Sequence, residues 1–227
     1  MQVDSTYLLC RKIFRSNEQG SKLPNENLLA KQYGVSRSSL REALKILKSK
    51  GVIKSKQRLG TVIDKYENIN FFDKDILSWS QGTSYFKNSR KYFLQIRMMF
   101  EPEISFMCAK NINKKNKNEF EKIFDNLRQS VISKDYNNII LNDLAFHQKI
   151  IMNCGNPILF PLHEFINHIL KANFTSNQQL QKNYFKGWEK KYLKQHEDLK
   201  NFIVNNNPIK AKNKMISIIS ENKKSSL

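Results

Sequence analysis

The chain has 227 residues and a formal net charge of +19, with 39 Lys/Arg against 20 Asp/Glu, a length that suits two domains or one large one with a real core. Cys10, Cys108 and Cys154 are odd in number and show no C-x-x-C spacing, which argues against a disulfide framework or a thiolate zinc knuckle and suits a reduced, cytoplasmic chain. No apolar run approaches membrane-spanning length, so no membrane partner is expected.

Residues 1–65 hold 14 Lys/Arg and 5 Asp/Glu, net +9, while residues 66–227 hold 25 and 15, net +10. Per residue the N-terminal third is the more basic, as a nucleic-acid face would be. Of the basic residues 31 are Lys and 8 are Arg, and with abundant Asn this is a Lys/Asn/Ile-biased composition in which scattered Lys says little. The Arg are more informative, because their forked geometry is not replaceable by Lys. Three of them, Arg37, Arg41 and Arg58, fall in one short segment.

That segment begins at Pro24, which stops any upstream helix, and Asn25, which can cap the next one. Leu28, Leu29 and Tyr33 recur at helical spacing, and Gly34 permits a sharp turn. Ser36 is a good N-cap for a second helix, whose buried stripe is Leu40, Ala43, Leu44 and Leu47. Arg37, Ser38, Ser39 and Arg41 fall in its first turns, mostly off that stripe. A helix N-terminus favours an anion, Arg can bond guanine bidentately, and Ser can reach phosphate or a base edge. Solvated helix charges would be the plain alternative. After Gly51, residues 52–56 and 59–63 read as two short strands around Gln57-Arg58. Helix, turn, helix and two-strand ribbon is the order of a winged helix-turn-helix, which places one helix in a DNA major groove.

Residues 1–64 are expected to form that domain, the polar stretch 65–75 a linker, and 76–227 an all-α bundle. Helices are expected at 73–80, 85–111, 116–133, 136–153, 157–174, 184–205 and 208–222, with breaks at Gly82, Asn113–Lys115, Gly155-Asn156-Pro157 and Asn205–Pro208. The tail from Glu221 is expected to fray. The fold class is therefore mainly α with a small β-hairpin wing.

Asp143 and His147 stand at i and i+4 on one helix face and can share a divalent metal (Zn, Ni or Mn), with His196 from a later helix as a third ligand. A hydrogen-bonded polar cluster without metal is the alternative. His163 and His168 lie between them in sequence, and nothing in their spacing makes either a ligand. Arg97 and Glu101 share a face whose apolar neighbours Ile96, Met99, Phe100 and Ile104 suggest burial. A buried Arg needs an anion, either Glu101 or the carboxylate of a ligand. Arg128 and Asn156 are weaker candidates for effector binding.

The wording of the first domain resembles the GntR family of bacterial transcription regulators. The resemblance rests on Gly20-x-x-Leu23-Pro24-x-Glu26, Leu29-Ala30, Val35-Ser36-Arg37, Leu40-Arg41-Glu42-Ala43-Leu44, Leu47, Gly51 and Gly60-Thr61-x-Ile63. The remainder resembles the FCD effector domain of the FadR branch, through Ile96-Arg97-x-x-x-Glu101-Pro102, Asp143-x-x-x-His147, Gly155-Asn156-Pro157-x-Leu159, His196 and Ala211-x-x-x-Met215. Phe72-Asp73-x-Asp75-Ile76-Leu77-x-Trp79 is similar to the subgroup that senses sugar acids such as galactonate or gluconate. The resemblance implies a homodimeric regulator, usually a repressor, that binds a double-stranded DNA operator. A small carboxylate or sugar acid would be its effector, and the wing tip at Arg58 and Gly60 would touch DNA. It also implies a further His ligand 22 positions after His196; that position is Ile218, which cannot ligate. Two other readings stand beside this one: a metal-dependent hydrolase using Asp143, His147 and His196, and a sequence-independent nucleic-acid-binding protein.

Overall fold

The computed structural model describes residues 5–178 and 188–224. The chain divides into two compact units, residues 1–86 and 87–227.

The first unit opens with a helix that sequence reasoning missed, α1 (Ser5–Ser16). Its Leu9, Cys10, Ile13 and Phe14 are buried, a spacing that was available to find it. Then come α2 (Glu26–Tyr33) and α3 (Arg37–Ser49). Asn25 caps α2 by accepting from the Leu28 N–H, and Ser36 caps α3 by accepting from the Ser39 N–H. Between them Gly34 takes φ +65°, the left-handed conformation that a side chain disfavours. Leu40, Ala43 and Leu47 of α3 are fully buried, each leucine contributing roughly 1.5–3 kcal/mol through burial. Strands β1 (Ile53–Lys56) and β2 (Gly60–Ile63) pair antiparallel, with Ile53 opposite Ile63 and Lys56 opposite Gly60. Segment 20–23 joins the outer edge of β2, the Leu23 N–H donating to the Thr61 carbonyl at 2.9 Å.

The expected linker at 65–75 is instead part of this unit. Ile69 is buried in its core, and Tyr66 and Phe71 pack against it. Helix α4 (Lys74–Ser80) then buries Ile76, Leu77 and Trp79, with Trp79 against the rings of Tyr7 and Phe14. Lys50, just past the end of α3, bridges Asp73 at 2.7 Å and Asp75 at 2.8 Å, which fastens the end of α3 to the start of α4. These apolar anchors stand singly or in pairs among polar neighbours in the sequence.

The second unit is a helical bundle. Its order is α5 (Ser84–Asn88, crossing the boundary), α6 (Arg90–Asn111), α7 (Lys114–Ile132), α8 (Tyr136–Met152), α9 (Leu162–Gln178), α10 (Trp188–Val204) and α11 (Pro208–Lys224). Helix α6 packs along α11, α7 against α8 and α10, and α8 against α9. The single helix expected over 85–111 is two, and the one expected from 157 is a 3-10 turn (Pro157–Leu159) followed by α9 after Pro161. The tail expected to fray from Glu221 stays helical through Lys224. Residues 184–187 of the helix expected at 184–205 lie outside the described residues.

Candidate functional site

Two constellations that looked separate in sequence meet in the bundle core. Arg97 and Glu101 lie one turn apart on α6, and both are buried. Arg97 Nε bonds Glu101 Oε1, and its Nη2 donates to Oε2 at 3.1 Å. That same Oε2 lies 3.1 Å from Nδ1 of His147 on α8. One turn before His147 is Asp143, whose Oδ1 lies 3.1 Å from Nε2 of His196 on α10. Donor atoms of Asp143, His147 and His196 all fall within 4.8 Å of one another, and all three residues are buried.

The tautomer of His196 follows from its neighbour. Its Nδ1 stands 2.9 Å from the Tyr192 backbone oxygen, which can only accept, so Nδ1 carries the proton. In the neutral ring, Nε2 then presents a lone pair, and this buried atom has no hydrogen-bond partner despite its closeness to Asp143. A lone pair beside a carboxylate needs a cation, either a proton or a metal. A histidine whose other nitrogen donates to a backbone carbonyl is also the usual posture of a metal ligand. The donor set therefore fits a divalent metal, with Asp143, His147 and His196 as its holders.

The charges agree. Burial would raise the Asp143 carboxyl, but when the cation on His196 Nε2 is a proton, its hydrogen bond to Asp143, together with the charge of His147 and the Tyr192 hydroxyl, outweighs burial and holds the carboxyl at about 2. Glu101 is likewise raised by burial and brought down to about 2 by Arg97 and His147. Counting Arg97, Glu101 and Asp143 alone, the cluster carries one net negative charge. A divalent cation would turn this to one positive, a setting for a bound carboxylate. Arg97 Nη1 is a buried donor without a partner and could meet that anion.

Tyr192 was missed by sequence reasoning. It bonds Asp143 through its hydroxyl, and its ring lies tilted by 39° against His196 with centroids 4.1 Å apart. The signal was its place four residues before His196, on the same helix face. Several candidates are not brought to the site. Asn156 caps the 157–159 turn, accepting from the Ile158 N–H at 3.1 Å. His163 Nδ1 stands 2.6 Å from the Phe160 carbonyl oxygen. Arg128 pairs with Asp125 and Glu197. Neither His163 nor His168 belongs to the group of potential metal ligands found among the described residues. Ile218 is buried, and no fourth imidazole joins the group among the described residues.

In the first unit Arg37, Ser38 and Arg41 are exposed at the start of α3, with Ser39 half-buried. The Ser36 hydroxyl is committed to capping, and lies 2.9 Å from the Ser38 and 2.8 Å from the Ser39 hydroxyl. Arg41 Nε bonds Glu26 Oε2 at 2.7 Å in the open. At the wing tip Arg58 is exposed with φ +63°, an uncommon conformation for a side-chain-bearing residue, and Gly60 follows at φ +85°.

A winged helix-turn-helix followed by a helical domain with a buried polar core is the architecture of a ligand-regulated DNA-binding protein. The pattern of the bacterial regulatory proteins of the gntR family matches residues 13–63, and that of the FCD domain matches residues 93–221. The chain belongs to this family, in the branch that carries the FCD domain, and is a DNA-binding transcription regulator with a small-molecule effector domain, not an enzyme. It is 28% identical over 180 residues to the uncharacterized HTH-type transcriptional regulator YieP of Escherichia coli, covering 77% of this chain and 78% of that one. It is 24% identical over 157 residues to the galactonate operon transcriptional repressor of the same organism, covering 68% and 67%. A solved structure of Streptococcus agalactiae GntR shares the fold, with TM-score 0.56 at 24% identity over 97% of this chain and 98% of that one.

Proposed function

We propose that this protein is a homodimeric, cytoplasmic, metabolite-responsive repressor whose effector is a small carboxylate, most specifically a sugar acid. The observation that carries the reading is the buried Arg97–Glu101–His147–Asp143–His196 cluster with two unspent groups, Arg97 Nη1 and His196 Nε2. A divalent metal held by Asp143, His147 and His196 would supply a Lewis-acidic charge for the effector carboxylate. Arg97 would add a charge-assisted hydrogen bond. Glu101 holds the guanidinium in place and, through His147, ties the effector anchor to the metal ligands. The name of the galactonate operon repressor points to an aldonic acid as the first effector to try.

In the winged helix-turn-helix, Arg37, Ser38, Ser39 and Arg41 would read the operator from the major groove. Ser36 would position them, and Arg58 and Gly60 would meet the backbone or minor groove. Two half-sites one helical turn apart would suit a dimer.

The test is operator binding by fluorescence anisotropy with Zn(II) present, while aldonates and simple carboxylates are titrated in. A sugar acid should release DNA or change its affinity at least tenfold, and Arg97→Lys should abolish that response while leaving DNA binding intact. If no carboxylate alters DNA affinity, with or without metal, the reading fails.

A further inference from the structure

Helix α6 is apolar on two sides. One side carries Phe93, Leu94, Arg97, Glu101 and Ile104 into the core. On the other, Tyr92, Ile96, Met99, Glu103 and Phe106 recur at three- and four-residue steps and form one outward stripe. Met99 is 69% exposed and Tyr92 54%.

Two contacts fix how α11 lies beside this stripe. Asn206 Nδ2, just before α11, donates to the Ala109 carbonyl at 3.2 Å, and Lys212 pairs with Glu103. Six steps forward along one segment thus match six steps back along the other, so the helices run antiparallel. Continuing that register sets Ile216 beside Met99 and Ile209 beside Phe106. Ile216 is 36% exposed and Ile209 66%. Two neighbouring helices therefore share a continuous apolar strip, interrupted midway by one acid and one base. Single exposed apolar residues are ordinary; a strip spanning about 20 Å of one helix and about 10 Å of its neighbour is not.

We propose that this α6–α11 face is where a second copy of the chain docks, Glu103 of each copy meeting the partner's Lys212. The proposal rests on the homodimer reading above and says which surface makes the dimer. The occupant follows from charge. The chain carries +19, so most approaches of one copy to another bring like charges together. Between Tyr92 and Phe106 this strip carries one negative and one positive group, with Lys110 exposed one turn beyond its end. A copy turned about a two-fold axis presents Lys212 to Glu103 and Glu103 to Lys212, with Met99 and Ile216 as apolar anchors between them. Nucleic acid or an acidic protein would call instead for a net positive strip.

Sedimentation velocity of the full chain at micromolar concentration is the test. Wild type should be a dimer. Met99→Glu with Ile216→Glu should raise the dimer dissociation constant at least a hundredfold, with helicity by circular dichroism unchanged. Glu103→Lys alone and Lys212→Glu alone should each weaken self-association at least tenfold, because like charges then face across the axis. Mixing these two variants in equal amounts should restore the dimer. Neither variant regains its intrachain pair in the mixture, so recovery can come only from pairing across an interface. A dimeric wild type whose Met99/Ile216 variant is equally dimeric, or charge variants that associate normally alone, would overturn this face and leave the homodimer reading standing. A wild type monomeric at high micromolar concentration would overturn both.

Discussion

Replacing Arg97 by Met should be among the most destabilising single substitutions in the helical domain. The Arg97 side chain is fully buried and that of Glu101 is 3% exposed, and their two-point pair is the main counterweight to the desolvation of Glu101. Removing the guanidinium leaves a carboxylate in the core with only His147 beside it. Breaking a buried pair from one side costs about 3–5 kcal/mol, out of a total stability of roughly 5–15 kcal/mol. His147 can offset part of this, so the lower end of that span is expected. Arg97→Met with Glu101→Leu removes both charges at similar volume and should recover most of the loss, to within about 1–2 kcal/mol of wild type. Urea unfolding followed by far-UV circular dichroism, at pH 7 with chelator present, measures both. A single variant that loses less than about 1 kcal/mol, or a double variant as unstable as the single, would show that the pair is not the balanced buried unit described here.

On DNA, Arg41→Ala should weaken operator binding roughly 5- to 150-fold by anisotropy if Arg41 reads a base, with Lys31→Ala doing much less. Glu26→Gln should tighten binding modestly, because the Arg41–Glu26 bond must open before Arg41 can reach DNA. Ile218→His should raise Zn(II) affinity by calorimetry if the last helix faces the site, and His196→Gln should lower it. In the winged helix, Asp64 is held at about 2, below its ordinary 3.8, mainly by Lys54 against the opposing effect of burial, with Asn68 and the Lys65 N–H assisting. A depressed carboxyl adds stability that is present above about pH 4 and lost as pH falls through about 2, of order 1 kcal/mol after solvent screening. Asp64→Asn should flatten that acid limb in an unfolding series.

The winged helix was legible because its signals are local. Asn25, Gly34 and Ser36 each act within a few residues of their own position, and each takes the role its chemistry suggests. Arg58 was legible as a wing-tip residue but not in its left-handed backbone, which depends on the closure of the whole hairpin. The boundary was misplaced because Ile69, Ile76 and Trp79 are too sparse among polar neighbours to announce a core. Their burial is decided by α1 and α3, far away in sequence. The same divide runs through the buried polar cluster of the helical domain. Spacing placed Asp143 beside His147 and Arg97 beside Glu101, since each pair shares a helix turn. It could not join the pairs, because the link is Glu101 Oε2 to His147 Nδ1 across two helices. That link changes the chemistry of both halves: Glu101 cannot be reassigned to an incoming cation without loosening Arg97, and Arg97 cannot turn to an anion without altering the field at His147. A ligand on Arg97 and a metal on His147, were both bound, would therefore be felt by one another through a single shared carboxylate, a coupling that neither spacing pattern contains.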